Sequence, residues 1–249
     1  MIEINNLTKS FDKSIILDNI NLKIEKGNVY ALLGKNGVGK TTLINIIIDL
    51  VLPNTGNVLI NGKEHNKLDK EDNKNLGIVG EDLALLEELN GWVFLNFVGK
   101  IYELPKNVID KRIKDLFNYF FEDEKDLKKN ISRYSTGMKK KIAFCAAVLH
   151  TPDILILDEP FSGLDPLVAN QMIEFLKAYQ QKDRAILVSS HDLSYVEKIA
   201  THIGVLNDSK LLFSSSIEDF TNLGTSSIDS ALLQMLKPNT SELSKIDWL

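Results

Sequence analysis

Gly34-Lys35-Asn36-Gly37-Val38-Gly39-Lys40-Thr41 constrains this chain more than any other stretch. It fits G-x-x-x-x-G-K-[ST] and directly follows the apolar run Val29-Tyr30-Ala31-Leu32-Leu33. Such a run suits a strand buried on both faces of a parallel sheet. Beyond the glycines, Thr42–Val51 reads as a helix halted by Pro53. Strand, glycine turn and helix in that order make a phosphate cradle. Glycines allow backbone N–H groups to turn inward where side chains would collide, and the helix adds the positive end of its dipole. Lys40 is placed to reach the β- and γ-phosphates of a nucleotide, and the Thr41 hydroxyl to bind Mg²⁺. Thr42 can add a further phosphate hydrogen bond. Average composition yields the bare pattern in roughly 1 in 100 chains of this length, and the flanking strand and helix lower that further. The expected nucleotide-binding residues are thus Gly34, Lys35, Asn36, Gly37, Val38, Gly39, Lys40, Thr41 and Thr42.

A second piece of the same chemistry lies far downstream. Ile154–Leu157 is an apolar strand ending in Asp158-Glu159. An aspartate at that strand end can hold Mg²⁺ opposite Thr41, directly or through water. Glu159, one residue on, leaves the strand axis and can orient or deprotonate an attacking water. Asp165-Pro166 follows, an acid placed to cap a helix that starts with proline. Around these motifs strand and helix alternate: Asp153–Leu157, Pro166–Gln180, Ala185–Ser189, Leu193–Ala200 and Ile203–Leu206. Such alternation predicts an α/β fold, a P-loop NTPase whose mostly parallel core sheet is covered by helices.

The amino-terminal part has another texture. Ile2–Leu7, Ile15–Leu17 and Ile20–Ile24 are short apolar or alternating runs, and Asn61-Gly62 after Val58-Leu59-Ile60 signals a hairpin. They predict an antiparallel β subdomain. From Leu83 to about Leu149 apolar residues recur at helical spacing, with breaks at Pro105 and Asn130, as in an inserted helical subdomain. One domain over residues 1–249 accounts for this: a core with β subdomain at about 1–82 and 150–215, a helical subdomain at about 83–149, and a tail at 216–249. The stretch after Phe213 reads as serine-rich at Ser214-Ser215-Ser216 and then weakly helical around Ile228–Leu236.

Within the helical part, Met138, Ile142, Cys145, Ala146 and Leu149 fall on one helical stripe preceded by Ser135-Thr136-Gly137. Those residues cap a helix whose amino terminus favours an anion. The neighbouring Lys139-Lys140-Lys141 reads as a solvated helix face.

Phosphate loop, then Tyr134-Ser135-Thr136-Gly137-Met138, then Ile154–Glu159, in that order, make the chain resemble the ATP-binding subunits of ABC transporters over roughly residues 1 to 215. The usual Leu-Ser-Gly-Gly-Gln of that family is matched at Tyr134 to Met138, with Ser135 and Gly137 retained. The resemblance implies that Ser135, Thr136, Gly137 and Met138 face the γ-phosphate of ATP held by an opposite subunit. Two ATP molecules would lie between two chains, in a homodimer or a heterodimer with a related subunit. It further implies that Glu159, His191 and Lys40 are catalytic, that Phe11 stacks on adenine, and that Asp165 sits at the dimer contact. Glu81 stands where the family usually has a glutamine, still able to approach Mg²⁺ and adding charge beside it. The stretch 82–95 is where such subunits touch a transmembrane permease partner, so the chain is expected at the cytoplasmic face of the membrane. The details at 34–37, 135–138 and 81 lean towards the export-type, ABC-2-like branch.

Composition agrees with that expectation. A chain of 249 residues with 44% hydrophobic content can bury a sizeable core, and a net charge of −5 argues against a surface built to neutralise nucleic-acid phosphates. Apolar runs near Ile44–Leu52 and Ile154–Leu157 are too short to span a bilayer. Met1-Ile2-Glu3-Ile4 lacks the order of a signal peptide, and one cysteine excludes an internal disulfide. A soluble ATPase of the same superfamily acting on nucleic acid or ribosomes is the alternative, but no sustained heptads separate Thr41 from Ser135. A small kinase or GTPase leaves Ser135–Met138 and His191 without a role.

Overall fold

The computed structural model of the protein describes residues 1–180, 183–222 and 224–236. Among the described residues ten strands form two sheets. The first is antiparallel: β1 (Ile2–Phe11), β2 (Ser14–Ile24), β4 (Thr55–Ile60) and β5 (Lys63–Glu64), in the order β2-β1-β4-β5. The second contains β3 (Val29–Leu33), β6 (Leu76–Val79), β7 (Ile154–Asp158), β8 (Ala185–Ser190), β9 (His202–Asn207) and β10 (Lys210–Ser216), in the order β10-β9-β3-β8-β7-β6. All its pairs are parallel except β9 with β10. The helices are α1 (Lys40–Ile47), α2 (Lys70–Asn73), α3 (Gly91–Ile101), α4 (Lys106–Phe120), α5 (Thr136–Val148), α6 (Pro166–Gln180), α7 (Leu193–Ile199), α8 (Ile217–Phe220) and α9 (Ile228–Leu236).

Every residue of β3, β7 and β8 is buried, as a sheet covered on both faces requires. On one side Leu155, Leu157, Ile186 and Val29 join a core with Phe117, Phe120, Phe144 and Met172 of α4, α5 and α6. On the other, Leu32, Ile154, Ile156 and Leu187 meet Leu43, Ile44 and Ile47 of α1 and the inner face of the antiparallel sheet. The helical part therefore shares a core with the sheet instead of standing apart from it.

Several boundaries differ from the sequence expectations, each for a local reason. The separate short runs at the amino terminus are one long hairpin, β1–β2. Its register shifts between Ile4 and Ser10, and Asn6 and Asn19 adopt left-handed backbone (φ 50° and 52°), so bulges interrupt the alternation without ending the strands. The first helix begins at Lys40 and stops at Ile47; Asp49 turns left-handed (φ 60°), and the N–H groups of Leu50 and Val51 both donate to the Asn45 carbonyl, well before Pro53. Helix in the insertion starts only at Gly91, where the Asn90 side chain caps it by accepting from the Val93 N–H. Ser214-Ser215-Ser216 is not a tail but the end of β10, paired antiparallel with β9. Beyond it Phe220, Ile228 and Ala231 pack against Ala31, Leu33 and Val205. Phe94 is core, and Asp247-Trp248-Leu249 lies outside the described residues.

His150, just past α5, ties that helix to the sheet. Its Nε2 donates to the Leu76 carbonyl at 2.9 Å, its ring stacks on Tyr102 with centroids 3.6 Å apart, and Nδ1 is buried without a partner. Burial, partly opposed by the Leu76 bond, pushes its pKa down to about 4. Because the folded value lies below the ordinary 6.5, this stability is present above pH 6.5 and is lost as pH falls towards 4, by about 3 kcal/mol. Denaturant unfolding at pH 7 and near pH 4 should show His150→Gln losing that part of the slope. Identical acid slopes in the two proteins would refute the assignment.

Candidate active site

Parallel pairing of β3, β8, β7 and β6 brings four carboxyl ends to one edge of the sheet. In register, Leu33 lies beside Ser190, Asp158 beside Ser189, and Val79 beside Leu157. The residues that follow each strand, Gly34, His191, Glu159 and Glu81, are thus delivered together, in the crevice where open α/β sheets bind ligands. A cavity of about 420 Å³ opens there, lined by Asn36, Gly37, Gly39, Lys40, Thr41, Thr42, Glu81, Lys140, Asp158, Glu159, Ser162 and His191.

The phosphate loop has the backbone its glycines allow. Gly37 (φ 79°) and Gly39 (φ 114°) are left-handed, and a Cβ on Gly39 would press on Ile16 and Leu17 of β2. At Gly34 a Cβ would lie 2.6 Å from the Leu206 carbonyl, which holds the loop close to β9. Lys40, only 6% exposed, folds back over this loop: its Nζ donates to the carbonyls of Gly34 (2.8 Å) and Lys35 (3.3 Å) and lies 3.5 Å from Glu159 Oε1. Val38 donates its N–H to the Lys35 carbonyl and packs against the core between α1 and the antiparallel sheet, outside the cavity lining.

Glu159 is left-handed (φ 48°), the turn that lifts its carboxylate off the strand. Its Oε2 lies 2.9 Å from His191 Nδ1, while Oε1 faces Lys40 and is buried without a hydrogen-bond donor. Ser189 Oγ accepts from the Glu159 N–H at 2.9 Å and itself donates to Asp158 Oδ1, so one hydroxyl locks both acids. Asp158, 3% exposed, keeps Oδ2 buried and unpartnered. The Thr41 hydroxyl donates to Glu81 Oε2 at 3.4 Å. An orphan carboxylate oxygen, a hydroxyl and a second carboxylate at one edge fit a hard divalent cation completed by phosphate oxygens and water.

The other expected residues stand outside this cavity. Ser135 caps α5, accepting from the Met138 N–H at 3.3 Å, and Ser135, Thr136, Gly137 and Met138 do not line their own chain's cavity. On the stripe behind them Ile142, Cys145 and Leu149 are fully buried. Asp165 is engaged as a helix cap, its Oδ1 accepting from the N–H groups of Leu167 and Val168 at 3.0 Å each. Phe11 ends β1, 47% exposed, with the Lys9 ammonium 4.6 Å from its ring centre.

The lysine run is not a solvated face. Lys139 pairs with Glu87, Lys141 Nζ donates to the Phe120 carbonyl at 2.8 Å, and Lys140 Nζ donates to the Glu159 carbonyl at 2.9 Å. Half-burial lowers the Lys140 pKa against three carboxylates that favour its charge. Lys140, Ser162 and Ser189 are the site residues that sequence reasoning missed. Two consecutive serines closing an otherwise apolar strand were a readable signal; nothing in the sequence separated Lys140 from its neighbours.

Residues 17–162 match the family described as ABC transporter. The chain is 32% identical over 223 residues to the lantibiotic transport ATP-binding protein SrtF of Streptococcus pyogenes, covering 90% of this chain and 94% of that protein. It is 33% identical over 221 residues to the bacitracin transport ATP-binding protein BcrA of Enterococcus faecalis, covering 88% and 70%. Among solved structures, an ATP-binding subunit of an ABC transporter superposes with a TM-score of 0.88 at 28% identity, over 95% of this chain and all of that one. A dimeric ATP-binding cassette in a post-hydrolysis state, bound to ADP and Pi, shares the fold with a TM-score of 0.78 at 23% identity, over 87% and 99%. With the phosphate loop, the acid pair and the capped helix in place, the chain belongs to the ABC transporter family, as one of its ATP-binding, ATP-hydrolysing subunits.

Proposed function

We propose that this subunit closes with a second cassette around two ATP molecules and drives a separate membrane-spanning permease, in the direction of export. The carrying observation is that the Ser135 cap lies outside its own chain's nucleotide cavity while Lys40, Asp158, Glu159 and His191 converge inside it. A helix start that attracts anions, set outside its own chain's cavity, suits a phosphate brought by a facing chain.

In this reading Gly34–Thr42 hold the phosphates, and Lys40 turns from the loop carbonyls to the β- and γ-oxygens. Thr41 and Asp158, with Glu81 beside them, would hold Mg²⁺, which when bound neutralises charge on the transferred phosphoryl group. Glu159 orients and deprotonates water, held by His191. Phe11 stacks on adenine from a hairpin whose Ile16 abuts Gly39, and Asp165 serves the dimer contact while capping α6. The chain acts as one domain with the boundaries expected above, at the cytoplasmic membrane surface.

An apolar groove of about 710 Å³ supports the permease contact. It runs past Leu50 (72% exposed), Phe97 and Ile101 and ends at Thr41 and Glu81, which it shares with the nucleotide cavity. A partner helix lodged there would touch Glu81 directly. Relatives named for lantibiotic and bacitracin transport favour export. No helix among the described residues is long and apolar enough to cross a membrane, which leaves the crossing to the partner.

Ser135→Glu tests the shared site. An acid at that helix start should abolish ATP-driven dimerisation, read by light scattering, while the Kd for ATP on the monomer stays within about threefold. Dimerisation at the parent's ATP concentration would sink the facing-helix reading.

A further inference from the structure

We propose that Lys140 is a positioning residue that ties the Ser135 end of α5 to the water-activating carboxylate of its own chain, and so couples the two nucleotide sites of a dimer. The inference rests on the two-chain reading above.

The argument begins with the backbone of Glu159. A non-glycine residue with φ 48° persists only where its surroundings hold it. Those surroundings are countable among the described residues. The Glu159 N–H donates to Ser189 Oγ, its carboxylate meets Lys40 and His191, and its carbonyl accepts from the Ser162 N–H at 3.3 Å and from Lys140 Nζ at 2.9 Å. Lys40, Ser162, Ser189 and His191 all come from the phosphate-loop helix or from loops and strands of the core sheet. Lys140 alone in this set comes from the helical part.

Its neighbours show why that contact transmits displacement. Lys139 and Lys141 fasten α5 to the helical part, through Glu87 and the Phe120 carbonyl, with the Lys141 ammonium also 4.8 Å over the Phe121 ring. The middle lysine reaches the other way, across the cavity, to the turn that carries the carboxylate. Phosphate arriving at the Ser135 cap therefore acts on a helix whose next turn grips Glu159. Lys140 also lines a cavity with three carboxylates, Glu81, Asp158 and Glu159, where Lys40 is the other ammonium. The residue is half-buried, and its ammonium has the Glu159 carbonyl as a fixed partner.

The test uses full-length parent, Lys140→Met and Lys140→Arg, with ATP turnover followed across ATP concentration and melting temperature measured with ADP. Lys140→Met keeps the stem and removes the donor. It should lower kcat by about 10- to 100-fold, the scale set by small misplacements of a reacting group. KM should stay within about twofold, and the Hill coefficient should fall towards 1. Lys140→Arg should restore most of both. A kcat within twofold of the parent, an unchanged Hill coefficient, or a non-cooperative parent overturns the proposal. So does a kcat loss that comes with weaker ATP binding and a lowered melting temperature, since that would make Lys140 a fold anchor. Failure of the wider reading looks different: Glu159→Gln would then turn over ATP at the parent's rate.

Discussion

Glu159→Gln should lower ATP turnover by about 10²- to 10⁴-fold and leave ATP binding intact, the range a lost general base produces. The substitution keeps the side chain's size and leaves an amide that can still meet His191 and Lys40. The backbone turn is untouched, because Ser189, Ser162 and Lys140 hold it through main-chain atoms. Only the carboxylate proposed to take a proton from water is removed. A second effect follows from the same change: ATP that binds but is not cleaved should leave two chains closed around it, so the variant elutes as a dimer with ATP and as a monomer with ADP. Single-turnover kinetics and size-exclusion chromatography check the two halves separately. A variant that hydrolyses at the parent's rate and stays monomeric in ATP would dismiss Glu159 as the base and the closed dimer with it.

Lys40→Ala acts earlier, on binding. The ammonium is almost wholly buried and already points along the glycine loop, so no ordering of a solvent-exposed side chain is needed before it meets phosphate. Charge-assisted hydrogen bonds contribute about 1.5–3 kcal/mol each, and two of them to phosphate oxygens correspond to a Kd raised by at least about 100-fold. Calorimetric titration with a non-hydrolysed ATP analogue measures this. A Kd within threefold of the parent would remove Lys40 from the phosphate contacts. Lys40→Arg should rescue poorly, because a broad planar fork does not fit a space bounded by the Gly34 and Lys35 carbonyls.

Much of the molecule was legible from residue order. The phosphate loop, the strands around it, α6 at Pro166–Gln180 and α9 at Ile228–Leu236 stand where periodicity and breakers put them. Local chemistry is enough there, because buried strands of a covered sheet must be apolar throughout and proline can open a helix but not continue one. The misreadings share one cause. Bulges split the pattern of β1 and β2 into short runs, and the serine-ended β10 and the lysine run carry local patterns that point to loop or solvent; each is overruled by a tertiary partner, β1 by β4 and Lys140 by Glu159 from afar, β10 by β9 across a tight turn.

By themselves the residues of this chain determined that it is a nucleotide-binding α/β protein of the ABC transporter family, because a glycine turn between a buried strand and a helix, an acid pair after a second strand, and a capped helix between them leave few other folds. Tertiary structure alone decided how those parts divide. Parallel pairing sets Lys40, Asp158, Glu159 and His191 around one cavity and leaves Ser135 outside it, and the placement of α5 turns Lys140 from a surface charge into a contact of the Glu159 turn. Such assignments depend on which strands lie side by side and on which way one helix faces. Spacing along a chain cannot specify them, since residues brought within hydrogen-bonding distance here are separated by whole elements in sequence.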